Sequence, residues 1–257
     1  MKKQLIALLV LSLLVTACSN IMAAPTPTVT PEPPTSTPSP MPTATSTPQP
    51  TATPNLAATA AFKATQSAAD VVVDMEDILG DTELAYETGG LLWQQRENLE
   101  IEMKGPDSRY LPFAEDMEGK NFVLKSDVTW NATGIIICGV MFRSEPNFAE
   151  GDQYQFLFLR FSGAPAWAVE YHEFGYFSNS PTGVKYSSAV DLENGATNQF
   201  LLIANENEFT VFINGVRQGR YFDNSFQRME GDFAFLALQD SGEGSCRYEN
   251  TWIWELK

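Results

Sequence analysis

Beyond about residue 90, the chain alternates between short apolar runs and polar turns. Residues 99–104 (Leu-Glu-Ile-Glu-Met-Lys) alternate with a period of two, which is typical of a half-buried strand. In residues 122–130 the large apolar side chains fall on one parity, and Lys125, Asp127 and Thr129 fall on the other. Further strands are predicted at 134–142, 154–161, 167–174, 200–203, 209–213, 233–238 and 248–256.

Turn signals separate these predicted strands at short, regular intervals. Asn214-Gly215 follows the apolar run 209–213 and supplies the two positive-φ residues that a type I′ hairpin turn needs. No helical period lies between the strands, and no repeat of 20 to 50 residues is visible. The pattern therefore predicts an all-β fold, an antiparallel sandwich or barrel, and excludes a propeller or solenoid.

The N-terminus has the organisation of an export signal. Lys2 and Lys3 precede an apolar run over residues 5–15, which is too short to span a bilayer comfortably. The next residues, Val-Thr-Ala-Cys18, resemble the lipobox of bacterial lipoproteins. That resemblance implies a signal peptide over 1–17 and a diacylglycerol anchor on Cys18, with the protein held on the extracytoplasmic side of a cell membrane. An ordinary secretory signal with a coincidental cysteine is the alternative.

A proline-rich stretch follows the predicted anchor. Eleven of the 31 residues in 24–54 are proline, and most of the others are Thr, Ser or Ala, so neither a helix nor a packed core is expected. Residues 18–54 are thus predicted to be a disordered stalk reaching roughly 90 Å when extended. Residues 55–80 are rich in alanine and predict one helix ending at Gly80, and 86–257 form the folded domain.

The chain is strongly acidic. Its net charge is −16, and loss of Lys2 and Lys3 with the signal leaves 14 basic and 32 acidic residues, or −18. Such a surface repels phosphate backbones, so nucleic acid is excluded as an expected partner, and it also repels anionic headgroups. The simplest interpretation of the charge is solubility outside the cell.

Two segments carry a family resemblance. Residues 207–216 (NEFTVFINGV) resemble the hairpin of laminin-G-like and concanavalin-like jelly rolls. Residues 138–143 (CGVMFR) with Tyr154-Gln155-Phe156 resemble a strand pair of the same superfamily, which the keto-disaccharide hydrolase-like branch also has. The resemblance covers about 99–257 and implies two packed antiparallel sheets of the kind found in many carbohydrate-binding proteins.

Besides Cys18 the chain contains two cysteines, Cys138 and Cys246. An even pair in an exported protein predicts a disulfide, and Cys246 precedes the last strand of a fold whose first and last strands commonly neighbour each other. Two free buried thiols, or a metal or redox role, are the alternatives left open. Two thiols and the single histidine, His172, do not complete a standard zinc site.

The sequence shows no recognisable catalytic constellation. The E-x-D-x-x-E strand of the laminarinase and lichenase branch is missing, because Glu150-Gly-Asp152 is followed by Gln-Tyr-Gln. A serine triad would depend on His172, which we interpret as a surface histidine, and there is no Gly-x-Ser-x-Gly elbow. The acidic clusters at 115–118 and 240–243 offer oxygen ligands for Ca²⁺ but lack EF-hand spacing, so no metal or other cofactor is predicted.

Candidate ligand contacts lie around the predicted strand 167–174. Sugar rings stack on aromatic faces while amide and carboxylate groups bind their hydroxyls. The candidates are Trp167, Tyr171 and Tyr176 for stacking, and Arg143, Glu170 and Asn179 for hydrogen bonds. The competing interpretation places Trp167 and Tyr171 in the core, since they share one face of one strand.

Three functions are consistent with these features. The favoured one is a surface-tethered lipoprotein whose sandwich binds an extracellular carbohydrate. The second is a non-enzymatic protein-interaction or structural lipoprotein that contacts a cell-surface protein. The third is a glycan-processing hydrolase of the keto-disaccharide hydrolase type, which only the fold resemblance supports.

Overall fold

The structure is a computed structural model that describes residues 68–75, 77, 89–161 and 163–257, with only the backbone given for Phe161. The predicted signal peptide (1–17), the lipidated Cys18, the stalk (18–54) and most of the 55–80 helix lie outside the described residues. In the described part of the chain, no helix has the length and apolarity needed to span a membrane.

The described residues form fifteen strands in two antiparallel sheets. Sheet A contains β1 (Gly90–Gln94), β2 (Leu99–Lys104), β5 (Phe122–Ala132), β11 (Thr197–Asn205), β12 (Glu208–Ile213), β13 (Val216–Phe222) and β15 (Glu243–Glu255). Sheet B contains β3 (Asp107–Pro112), β4 (Glu118–Gly119), β6 (Ile136–Ser144), β7 (Gln153–Phe161), β8 (Ala164–Glu173), β9 (Tyr176–Asn179), β10 (Lys185–Tyr186) and β14 (Gly231–Gln239).

Each sheet has a defined strand order, and a disulfide joins the two sheets. Sheet A runs β1-β15-β5-β11-β12-β13 with β2 also on β15, and sheet B runs β10-β8-β7-β6-β14-β3 with β9 on β8 and β4 on β14. Cys138 of β6 and Cys246 of β15 form a disulfide between the sheets, with 5.7 Å between their Cα atoms. The predicted jelly-roll sandwich and its disulfide are therefore confirmed.

The intersheet core is dominated by aromatic rings. The alternation predicted for β5 is correct, because Phe122, Leu124, Val128 and Trp130 all lie in the core between the sheets. The rings of Phe122 and Trp130 meet aromatic side chains of β6, β7 and β14 edge-to-face. Burial of large rings from both sheets is the main stabilising contribution in a sandwich of this size.

The β12–β13 hairpin closes as the sequence predicts. Asn214 and Gly215 have φ values of 48° and 75°, the left-handed values of a type I′ turn. The Asn214 side chain donates to Ala189 O at 2.7 Å and so anchors the turn to the neighbouring loop.

A short helix, α1 (residues 68–75 and 77), covers the outer face of sheet A. Val71 and Met75 are buried, with 2% and 0% of their area exposed, in a cluster with Val123, Leu201, Ile203, Trp252 and Leu256. Asp74 also forms an ion pair with Lys125 of β5, whose side chain is 9% exposed. The helix therefore docks on the sandwich through an apolar contact and one ion pair.

Candidate functional site

The candidate site lies on the outer face of sheet B, which is the side facing away from sheet A. Its centre is an apolar cluster separate from the core, formed by Met141, Leu157, Leu159, Ala166, Ala168, Ala234 and Leu236. Tyr110 and Phe148 pack against this cluster from β3 and the β6–β7 loop.

A polar row continues this face toward one end of β7 and β8. Gln155 lies opposite Glu170, and Gln153 lies opposite His172, in the antiparallel register of these strands. His172 Nε2 is 3.3 Å from Glu170 Oε2, and both side chains are partly exposed, at 14% and 17%. Because directly opposed residues on one face have close Cβ atoms, the four side chains form one continuous polar row. We call it the Gln155–His172 row.

The β8–β9 turn beside this row is fixed by the β6–β7 loop. Phe174 and Gly175 have φ values of 51° and 76°. Phe174 N donates to Asp152 Oδ1 at 2.9 Å, and Gly175 N donates to Gly151 O at 3.2 Å. A Cβ at position 175 would lie 2.2 Å from Ala149 O, so only glycine allows this approach. The turn therefore holds β9 in a defined place next to His172.

Exposed aromatic side chains are concentrated around β9 and β10. Among the described residues, Phe174, Tyr176, Phe177 and Tyr186 are 60–79% exposed. Phe177 aligns with His172 across β8 and β9, and their rings meet edge-to-face at 6.1 Å. Tyr186 aligns with Ala166 and so also lies on the outer face. Phe177 and Tyr186 thus both lie on the outer face, opposite positions six residues apart along β8, and only Phe177 is beside the polar row.

The two aromatic residues predicted from β8 are part of the core. Trp167 and Tyr171 are 1% and 2% exposed and lie between the sheets, so their rings are not available for stacking on a ligand. Burial raises the pKa of Tyr171 to about 12, and the carboxylates of Asp152 and Glu173 act in the same direction. The physical reason is the alternation of β8, which puts Trp167 and Tyr171 on the side opposite Glu170 and His172.

The predicted ligand donor Arg143 is also buried. A register shift between β14 and β6 near Asp232 leaves Arg143 with φ 49°, and its side chain is fully buried. Its guanidinium donates to Lys120 O at 2.7 and 3.0 Å and lies 5.7 Å from the Phe209 ring centroid. Burial lowers the pKa of Arg143 to about 10. Arg143 therefore stabilises the sandwich end and is not a ligand donor.

The remaining predicted residues are divided between the two faces. Glu170 belongs to the Gln155–His172 row. Tyr176 is 79% exposed but aligns with Glu173, and the half-buried Asn179 aligns with the core residue Tyr171. Of the six candidates predicted from the sequence, only Glu170 lies on the polar row.

Sequence reasoning missed Gln155 and Phe177 as ligand candidates and treated His172 as an ordinary surface histidine. A signal was present in β8, where the small Ala166 and Ala168 share a parity with Glu170 and His172. Small and polar residues on one side of a strand, with large rings on the other, mark the face that points away from the core.

A groove of about 790 Å³ lies elsewhere, near β2, β3 and the β14–β15 end. Its charged groups are largely paired, because Lys104 bonds Glu243 at 2.7 Å and Arg109 bonds Asp107 at 2.9 Å. No cluster of three or more His, Cys, Asp or Glu side chains within the described ranges is arranged to hold a metal ion. The outer face of sheet B, with its polar row and exposed rings, is therefore the better candidate.

Comparison with known families agrees with the resemblance seen in the sequence. Residues 79–254, more than half of the chain, match the model of the 3-keto-alpha-glucoside-1,2-lyase-like domain. The chain belongs to this family. None of the curated proteins compared with the chain matches it.

Several solved structures are similar to this chain at low identity. The carbohydrate-binding module CBM66 from Bacillus subtilis is 14% identical, with 64% of this chain and 94% of that chain covered and a TM-score of 0.48. The legume lectin-like domain from Entamoeba histolytica is 11% identical, with 66% of this chain and 88% of that chain covered and a TM-score of 0.48. A laminarinase catalytic domain from Thermotoga petrophila is 11% identical, with 63% of this chain and 79% of that chain covered and a TM-score of 0.47. At these values the similarity carries no argument about function.

Proposed function

We propose that the protein binds a carbohydrate on the outer face of sheet B, through the Gln155–His172 row and the ring of Phe177. The observation that carries this proposal is the placement of Phe177, 60% exposed, beside the Glu170–His172 pair. A pyranose presents an apolar C–H face to an aromatic ring and hydroxyls to polar groups at its edge. Membership of a family named for 3-keto-alpha-glucoside chemistry supports a sugar ligand.

We also propose that this domain is tethered outside the cell by a lipid on Cys18, through the 18–54 stalk. The support is the lipobox-like Val-Thr-Ala-Cys18 and the proline-rich composition that follows it. Two acyl chains on one cysteine suffice for stable attachment. Metabolic labelling of the expressed chain with a fatty-acid probe, lost in Cys18→Ala, tests this part of the proposal.

The binding proposal is tested with a glycan array and polysaccharide pull-down, using the full-length chain purified in mild detergent, with and without Ca²⁺. Phe177→Ala is expected to weaken saturable binding by about tenfold, since stacking on one ring contributes on the order of 1 kcal/mol or more. Phe222→Ala is the matched control, because Phe222 is 50% exposed at the far edge of sheet A. Failure to bind any glycan would contradict the proposal and favour a cell-surface protein as the partner.

A second candidate function is glycan processing of the family's type. The observation that favours it is the 3.3 Å contact between His172 Nε2 and Glu170 Oε2, a pair able to accept and return a proton. Chromatographic detection of the products released from a 3-keto-alpha-glucoside, with Glu170→Gln as the inactive variant, separates turnover from binding. Binding without product release would leave the first proposal and exclude this one.

A further inference from the structure

The Gln155–His172 row contains an acceptor without a donor. Gln155 is 3% exposed, and its Oε1 has no hydrogen-bond partner. The side chain directly opposite is Glu170, whose carboxylate can only accept hydrogen bonds when ionised. Two neighbouring acceptors on one face can be satisfied by a ligand that brings hydrogen-bond donors in place of water.

The basic residues of the described strands of sheet B all lie away from this row. Arg143 and Arg160 donate to backbone carbonyls at the ends of the sandwich. Lys185 aligns with the core residue Trp167, and Arg109 pairs with Asp107 at the β3 edge. An anionic ligand would therefore meet the Glu170 carboxylate with no lysine or arginine of these strands beside it.

From this arrangement we infer that the site selects an uncharged sugar with two adjacent hydroxyl donors, one for Gln155 Oε1 and one for Glu170. The inference rests on the proposed function and specifies its ligand class. Sugars with a carboxylate or sulfate at the same position are rejected by like-charge repulsion from Glu170, which no lysine or arginine of the described strands of sheet B offsets.

The test compares two matched forms of soluble α- and β-glucans: neutral, and oxidised to the uronate at C6. Isothermal titration uses the full-length chain in detergent and the variants Gln155→Leu and Glu170→Gln. Glu173→Gln is the control, because it removes a carboxylate from the same strand on the opposite parity.

The neutral glucan is expected to bind about tenfold more tightly than the uronate. Gln155→Leu should weaken neutral binding by about fivefold or more, Glu170→Gln should narrow the neutral-to-uronate ratio, and Glu173→Gln should change neither. Equal or tighter binding of the uronate would overturn the selectivity while leaving carbohydrate binding intact. Failure of both forms to bind would contradict the proposed function itself, and this inference with it.

Discussion

Glu170 Oε2 lies 3.3 Å from His172 Nε2 on the outer face of sheet B, while Tyr171 between them is buried in the core. Three consecutive residues of one strand thus serve two different surfaces. The alternation of side chains along β8 is what separates the candidate ligand contacts from the residues that hold the sandwich together.

The disulfide between Cys138 and Cys246 should make a large contribution to stability. The two residues are 108 apart in sequence, so the bridge restricts a long loop in the unfolded chain. Replacing both with Ala is expected to lower the free energy of unfolding by about 4 to 5 kcal/mol in the chain-entropy model. Urea unfolding of the variant and of wild type, each with and without reductant, measures this. As a control, reductant should lower the free energy of unfolding of wild type and leave that of the variant unchanged.

Docking of α1 should depend on its buried face. Met75→Asp places a charge in an apolar cluster where the native side chain has 0% of its area exposed, and should destabilise the protein by about 3 kcal/mol or release the helix. Val73→Asp is the matched control, since Val73 is 54% exposed on the same helix. Hydrogen exchange of residues 68–75 reports the docking directly. Equal protection in both variants would contradict the observed contact.

Removal of Asp74 and removal of Lys125, which form an ion pair, should reduce the stability of the fold by different amounts. Asp74→Ala leaves the Lys125 ammonium, 9% exposed, without its carboxylate and is expected to cost about 2 kcal/mol. Lys125→Met removes the buried charge and keeps the apolar stem, so a change of less than about 1 kcal/mol is expected. Thermal unfolding of both variants tests this order of effects. A larger loss of stability in Lys125→Met than in Asp74→Ala would contradict it.

Asp223 should stabilise the fold in a pH-dependent way. Burial by itself raises the pKa of Asp223, but hydrogen bonds from Ser225 and Tyr154 outweigh it, so the pKa lies below the usual value of 3.8. A depressed carboxyl pKa stabilises the fold above about pH 3.8, and the effect is lost as the pH falls through the folded-state pKa. Asp223→Asn should therefore destabilise by about 1 kcal/mol at pH 7, with the deficit shrinking in acid.

The pH dependence of stability contributed by Asp232 should be opposite to that of Asp223. Burial and the nearby carboxylates of Glu118 and Asp116 raise its pKa above 3.8. The folded state then binds more protons than the unfolded state, so stability from this group falls as the pH rises. Asp232→Asn is expected to increase stability at pH 7 by less than about 1 kcal/mol, because the carboxyl is partly exposed, and to have no effect below pH 3.8. Unfolding temperatures measured from pH 3 to pH 8 distinguish the two aspartates.

Most of the sheet framework could be predicted because strand alternation and turn chemistry are local properties. Residues 99–104 were predicted as a strand and form β2, and Asn214-Gly215 forms the expected hairpin turn. The strands β1, β3, β4, β9 and β10 were not predicted. For β4, β9 and β10 the reason is their length, because two to four residues carry too little alternation to be distinguished from a loop.

The candidate site could be predicted only in part, because it depends on pairing between strands. The parity of β8 separates Glu170 from Trp167, but only the register with β7 brings Gln155 opposite Glu170. Arg143 was misplaced for a related reason. Its orientation follows from a positive φ at a register shift, and nothing in the local sequence indicates where such a shift falls.

The most direct test of the central claim uses the single histidine of the chain, His172, as a probe. Its imidazole carbon and proton signals in NMR spectra are assigned without ambiguity, and the ring lies beside Glu170 and Phe177. Titration with the glycan that binds most tightly in the screen should shift these signals saturably, with a midpoint equal to the calorimetric Kd. Saturable binding that leaves the His172 signals unmoved, and shifts those of residues such as Asn131 and Thr133 in the groove near β2, would contradict the assignment of the site to this face.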